Sequence, residues 1–432
     1  MTTCRALFTF GFVCVSLALI SGCEPDPYPS EMQYPARKAA LFFEVPERAP
    51  DLQTFPELGV MPQQLSNVIY KSGTGKIVPV DDVSKSSRDI IQTLLEREFG
   101  KPAQPAVFGI KTEEQLRGIF GLPGNDIKNI RPREKMVDRL YAGLMNGSKL
   151  YRRHCLHCHG VSGNGRGPTA VWMKPHPRDY LQGLFKFKSP KGYSRPLASD
   201  LYRVLVNGIE GTAMPSFRTL APAELDSLVL YVIHLSMRGE TEFQTYQRVA
   251  GLEATNAKRK DPNKISRDDI GAEFQGAMDY VISKWAQPEK INFETLSYSE
   301  SKVGQALDEA TDAKQKAEIL KASAGRGYEV FLKEGACISC HVNFGRNSEL
   351  KVDLWGSLVR PANLTQGIYR GGRRPIDIFY RIAGGIPPSG MPEAPAALKS
   401  SPDKIWDLVN FVRALPYPNM LPDEVREKIY GK

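Results

Sequence analysis

The chain of 432 residues is 41% apolar and 24% charged, with a formal net charge of +9. These are globular proportions, enough for two or three domains. Beyond the first twenty residues the longest apolar run, Leu228 to Ile233, falls far short of the ~20 residues of a spanning helix, which excludes a body threaded through a membrane.

In chain order, Arg5 is followed by an apolar stretch from Ala6 to Ile20 and then by Ile20-Ser21-Gly22-Cys23, the charged, apolar and small-residue order of an export signal. The last quartet resembles the lipobox of bacterial lipoproteins. That resemblance implies removal of residues 1–22, lipid on Cys23, and an exported protein held to the periplasmic face of a membrane, inner or outer. An ordinary signal peptide or a short anchor is the alternative. Cys4 and Cys14 would leave with the signal. Residues 23–134 then form a proline-rich N-terminal extension of unknown fold, with a helix expected near Arg88 to Phe99.

Cys155-Leu156-His157-Cys158-His159 and Cys337-Ile338-Ser339-Cys340-His341 are two copies of C-x-x-C-H, the attachment signature of a c-type haem. The spacing lets two thiols reach the two vinyl groups of one porphyrin while the next residue presents an imidazole to its iron. With 7 Cys and 6 His in the chain, chance supplies about 0.0016 such strings. Paired C-x-x-C motifs also build zinc sites, but usually closer together than the 179 residues from Cys158 to Cys337. With four cysteines in these motifs and Cys23 lipidated, no thiol is left for a disulfide.

The surroundings of the two motifs repeat. Cys155 maps to Cys337 at an offset of 182; Pro177, Asp179, Gln182 and Gly183 map to Pro361, Asn363, Gln366 and Gly367 at 184. Tyr202-Arg203 maps to Tyr380-Arg381 at 178, Met214-Pro215 to Met391-Pro392 at 177, and Pro222 to Pro402 at 180. Each of the last two prolines opens a helix with one apolar stripe, Leu225, Leu228, Val229, Val232 and Leu235 in one half and Ile405, Leu408, Val409, Val412 and Leu415 in the other. A second helix is expected before each motif, over Met136 to Tyr151 and Ala324 to Leu332, with Gly147 and Gly327 placed to let two helices cross closely.

Together these features resemble the class I cytochrome c fold over about 135–240 and 320–420, with Tyr231 and Phe411 in the place of its packed aromatic. The resemblance implies a mainly α chain: cytochrome c domains at 135–245 and 318–432, joined by a helical linker over 246–317, and two covalently bound haem c groups. His159 and His341 are the expected proximal iron ligands. For the opposite face, Met214 and Met391 in their Met-Pro loops resemble the class I ligand loop; Met173, Met237, His176 and His234 are the other candidates near the first motif. His154, His157, His176 and His234 are read as surface or packing residues.

In class I cytochromes a Gly-Pro supplies a carbonyl to the proximal imidazole, and Gly167-Pro168 is expected to do so here. No Gly-Pro follows His341, so different potentials are expected for the two haems. Arg203 and Arg381 are expected to face haem propionates or else solvent. Basic residues Lys186, Lys188, Lys191, Arg195, Arg370, Arg373 and Arg374 are expected to steer an acidic redox partner. The functional expectation is one-electron transfer in a respiratory chain, between a quinol:cytochrome c reductase and a terminal oxidase. A dihaem peroxidase and the cytochrome subunit of a periplasmic dehydrogenase are the alternatives. Nucleic acid is not an expected partner.

Overall fold

The computed structural model describes residues 28–36, 83–106, 109–110, 112–121, 133–259, 265–287, 297–353 and 358–431. The export signal and Cys23 lie outside the described residues. Helices are α1 (Lys85–Phe99), α2 (Glu113–Phe120), α3 (Arg133–His154), α4 (Leu156–His159), α5 (Ala198–Asn207), α6 (Pro222–Arg259) and α7 (Arg267–Ala286). They continue with α8 (Lys302–Glu309), α9 (Ala313–Leu332), α10 (Pro375–Gly384), α11 (Ala396–Lys399), α12 (Pro402–Ala414) and α13 (Asp423–Tyr430). Among the described residues the strands are two short antiparallel pairs, Gly100–Lys101 with Gln104–Pro105 and Lys351–Val352 with Leu358–Val359. The described chain is mainly α, as the cytochrome c resemblance implies. None of its helices is long and apolar enough to cross a membrane.

Two crossings organise the cores. In α6 the stripe Leu225, Leu228, Val229, Val232 and Leu235 is buried, and it packs on α3; in α12 the corresponding stripe is buried against α9. Each such side chain contributes roughly 1.5–3 kcal/mol by leaving water. The crossings close where glycine removes a side chain. A Cβ on Gly147 would run into the Ser227 carbonyl oxygen and Tyr231, and one on Gly327 into the Asp407 carbonyl oxygen and Phe411. Tyr231 then stacks at a tilt on Tyr151, with ring centroids 5.2 Å apart, and Phe411 meets Phe331 edge-on at 5.5 Å.

The extension and the linker do not stand apart. The boundary expected at 245 falls inside α6, which runs on without a break to Arg259. Past 245 it buries Tyr246, Val249 and Ala250 against α1 and α7, whose Ile91, Leu95, Ile270, Phe274, Val281 and Trp285 lie in the first core. Just before 245 the helix buries its charges in pairs. Arg238 holds Glu242 at 3.3 Å, Gln92 donates to Glu242 at 2.8 Å, and Arg195 and the Trp285 indole nitrogen both donate to Glu240. The remainder of the expected linker divides differently: Val303 of α8 belongs to the second core.

The two halves meet along α5 and α10. Both helices begin with an aspartate at the third helical position that accepts from the cap residue's backbone, Asp200 from Leu197 at 3.1 Å and Asp377 from Arg374 at 3.3 Å. Arg203 joins them, 3.0 Å from Asp200 and 3.7 Å from Asp377. Lys186 of the first half pairs with Asp353 of the second at 2.8 Å, nearly out of solvent.

Candidate functional site

Cys155 follows the last residue of α3, and the chain turns at once into α4. The amides of Cys158 and His159 donate to the Cys155 carbonyl at 3.1 and 2.9 Å. In the second half the amides of Cys340 and His341 donate to the Cys337 carbonyl at 3.2 and 2.8 Å. One turn therefore presents two sulfurs and an imidazole in each half. All four cysteines are free, so neither motif has closed on itself as a disulfide. Burial pushes the Cys155 thiol up to about 12 and the Cys337 thiol up to about 11. Among the described residues no group of three or more His, Cys, Asp and Glu converges on a metal-sized site.

The histidine of each motif is pinned from behind. Nδ1 of His159 lies 3.0 Å from the Arg178 carbonyl oxygen, and Nδ1 of His341 lies 3.0 Å from the Ala362 carbonyl oxygen. A carbonyl only accepts, so Nδ1 carries the proton in both and the Nε2 lone pair is left for iron. Burial pushes His159 down to about 4, keeping that ring neutral. The expectation for Gly167-Pro168 is corrected: the Gly167 amide donates to the Cys158 carbonyl, and the acceptor for the imidazole lies eleven residues after Gly167. Arg178 and Ala362 stand 184 apart, the offset of the repeated prolines just before them. Asp179 and Asn363, at the same offset, fold both loops alike by accepting from the amides of Leu181 (2.8 Å) and Thr365 (3.1 Å).

A missing Gly-Pro thus gives no reason for unequal haems, but exposure does. His159 stacks on Tyr180 at 4.7 Å, with Phe185 stacked beyond it, and Cys155 is buried. Cys337 is only partly covered. A low dielectric disfavours the more highly charged ferric state, so a haem at the first motif is expected to have the higher potential. A spectroelectrochemical titration should resolve two waves, and removal of the second motif's cysteines should abolish the lower one. Loss of the upper wave instead would contradict the assignment.

The Met-Pro loops are built identically. Gly208 (φ 67°) and Gly385 (φ 67°) end α5 and α10 in the left-handed region, where their bare Cα lets the chain fold back onto Pro215 and Pro392. The Ile209 amide donates to the Met214 carbonyl at 3.2 Å, and the Ile386 amide to the Met391 carbonyl at 2.8 Å, both at an offset of 177. Thr212 adds an Oγ1 acceptor, 3.1 Å from the Met214 amide. Met214 is part-buried against the first core. Met237 and His234 lie deep in that core, where His234 stands 3.5 Å from the Tyr34 hydroxyl.

Two expectations about charge need correction. Helices α5 and α10, their aspartates and their methionine loops all align at 177, one short of the 178 that relates the two Tyr-Arg pairs. Arg203 therefore has Tyr380 as its counterpart, about 100° around the helix from Arg381. Arg203 is held by the two aspartates, whereas part-buried Arg381, pushed down to about 10 by desolvation, donates to the Gly372 carbonyl. Of the basic cluster, Lys186, Lys188 and Arg195 are buried or nearly so on Asp353, on the carbonyls of Pro190 and Lys191, and on Glu240, while Arg373 and Arg374 pair with Glu210 and Asp377 and stay more than half exposed. Around the first motif the sequence is rich in bases, of which Arg139, Arg153 and Lys174 are exposed. From Arg139 to Arg178 the chain has seven Lys and Arg and no acid, and Trp172 there is 84% exposed.

Residues 142–232 match the family model described as cytochrome c oxidase, cbb3-type, subunit III. They form a c-type cytochrome domain. The cytochrome domain holds the first attachment turn, the Arg178 carbonyl and Met214 within one match. Members of such families carry covalently bound haem c, and the free thiols and singly protonated imidazole fit that group. A solved structure, the reducing HAO-like protein complex of Kuenenia stuttgartiensis, is 22% identical over 62% of this chain and 95% of its own, with a TM-score of 0.40. No curated protein matches the chain.

Proposed function

We propose that this chain is a dihaem cytochrome c of a respiratory chain, tethered through lipid on Cys23 to the periplasmic face of a membrane. It passes single electrons from a quinol-oxidising complex to a terminal oxidase or another acceptor. The observation that carries this reading is the second half's repetition of the first: the same thiol turn, the same Nδ1–carbonyl distance of 3.0 Å and the same methionine loop. Cys155, Cys158, Cys337 and Cys340 hold two porphyrins; His159 and Met214 cap one iron, and His341 and Met391 the other. Filled axial positions favour electron transfer over substrate chemistry.

Arg381 is the better propionate partner of the two arginines, since it donates to the Gly372 carbonyl and feels Asp377 only beyond ion-pair distance, whereas Arg203 is paired with Asp200 and lies within 4 Å of Asp377. Exposed Arg139, Arg153 and Lys174, with exposed Trp172 in the same stretch, support docking of an acidic redox protein beside the first haem.

The test is the full chain matured in a host that attaches haem c. Expected are a mass increment of two haems and a methionine-to-iron charge-transfer band from both in the oxidised state. A single haem, or a high-spin haem that turns over peroxide, would overturn the reading in favour of a monohaem protein or a peroxidase.

A further inference from the structure

The contacts between the halves follow an approximate two-fold pattern, and they fall on the methionine loops. Segment 368–373 precedes α10 and lies on the first half: Ile368 covers Gly211, where a Cβ would meet its methyl group, and Arg373 pairs with Glu210. Glu210 and Gly211 form the tip of the loop that ends in Met214. Shifted back by 177, that segment corresponds to 191–196. There the Gly192 amide donates to the Gly384 carbonyl at 3.1 Å, and a Cβ on Gly192 would meet the Glu393 carboxylate. Gly384 immediately precedes the loop of Met391, and Glu393 follows Met391-Pro392, with Lys399 holding its carboxylate at 2.6 Å. Each half thus lays its segment before α5 or α10 across the other half's loop.

We infer that each iron-ligating methionine is held to its haem by the opposite half, with Ile368 and Arg373 acting as positioning residues for Met214 and Gly192 for Met391. The inference rests on the two methionines being ligands. A thioether is a weak neutral ligand, so the stiffness of its loop decides how readily another donor displaces it. A loop braced from one side by its own half, through the Ile209–Met214 bond, and from the other by the partner half is stiffer than either brace alone makes it.

The probe is imidazole, a neutral competitor for the sixth position of ferric haem, titrated into the full holoprotein. To read the first haem alone, the work is done in a Met391→His background, where the remaining methionine band belongs to Met214. Arg373→Ala removes an exposed ion pair, and its expected effect is a gain of about two- to five-fold in imidazole affinity at the first haem. Ile368→Ser/Arg373→Ala is expected to gain more, with the thermal midpoint of the chain unchanged. In a Met214→His background the same two substitutions should leave the second haem's affinity as it was, while Gly192→Pro, which lacks the amide hydrogen and cannot take up this glycine's φ of 52°, should lift the segment off the loop and raise it. Unchanged imidazole affinity in the double variant, or an equal change at both haems, overturns the cross-bracing while leaving the ligands in place. Absence of any methionine band in the Met391→His background would remove Met214 as a ligand, and the inference with it.

Discussion

Gly147→Val is expected to cost roughly 3 kcal/mol and to lower the unfolding midpoint of the first half by roughly 6–12 °C. The new side chain meets the Ser227 carbonyl, part of the backbone of α6, so no rotamer change relieves the contact and the helices must move apart. Separation also loosens the Tyr151–Tyr231 stack and the buried stripe beneath it. Gly327→Val should behave alike in the second half, where the obstacle is the Asp407 carbonyl. The comparison that isolates crowding is Gly251→Ala. That helical glycine has nothing within 4 Å of its missing Cβ, so alanine should be neutral or stabilising by up to ~1 kcal/mol. Thermal unfolding of the full chain reads all three, and equal midpoints for Gly147→Val and the parent would refute the close crossing.

Met391→His should lower the second haem's potential by tenths of a volt, a sizeable part of the ~0.8 V over which axial ligands tune haem. The loop has room for the change, since Met391 lies at the tip of a bridge with Ile386 and is only partly covered. Histidine donates more strongly to ferric iron than a thioether does, and bis-histidine ligation sits below histidine–methionine ligation. Potentiometry with each haem followed by its own band is the measurement. A shift confined to the second wave is expected; an unmoved second wave would mean that Met391 does not bind iron.

What could be read from the chain was local. The C-x-x-C-H turns, the Met-Pro loops and the apolar stripes of α6 and α12 each sit within a dozen residues and carry side-chain signatures. The acceptors for His159 and His341 escaped because the atoms involved are backbone carbonyls of Arg178 and Ala362, and any residue type supplies one. The repeated prolines before them were the available signal. Arg203 and Arg381 were paired by identity, although helical register, visible in the aspartates and glycines of α5 and α10, placed them one residue apart. The fate of Lys186 and Arg195 required tertiary partners 167 and 45 residues away, which no window reveals. The continuation of α6 past 245 escaped because its partly exposed side carries Arg248 and Glu253, while the burial of Tyr246, Val249 and Ala250 depends on α1 and α7, which lie elsewhere in the sequence.

That unbroken α6 sets how small the first unit can be made. Trimming the chain to 135–245 would sever a helix mid-span and lay bare the surfaces where Ile91, Leu95, Phe274 and Trp285 now rest. A fragment retaining the flanking helices, from about Tyr28 through Ala286, is the piece that carries its own apolar lining, and truncation studies aimed at single-haem spectra should start there.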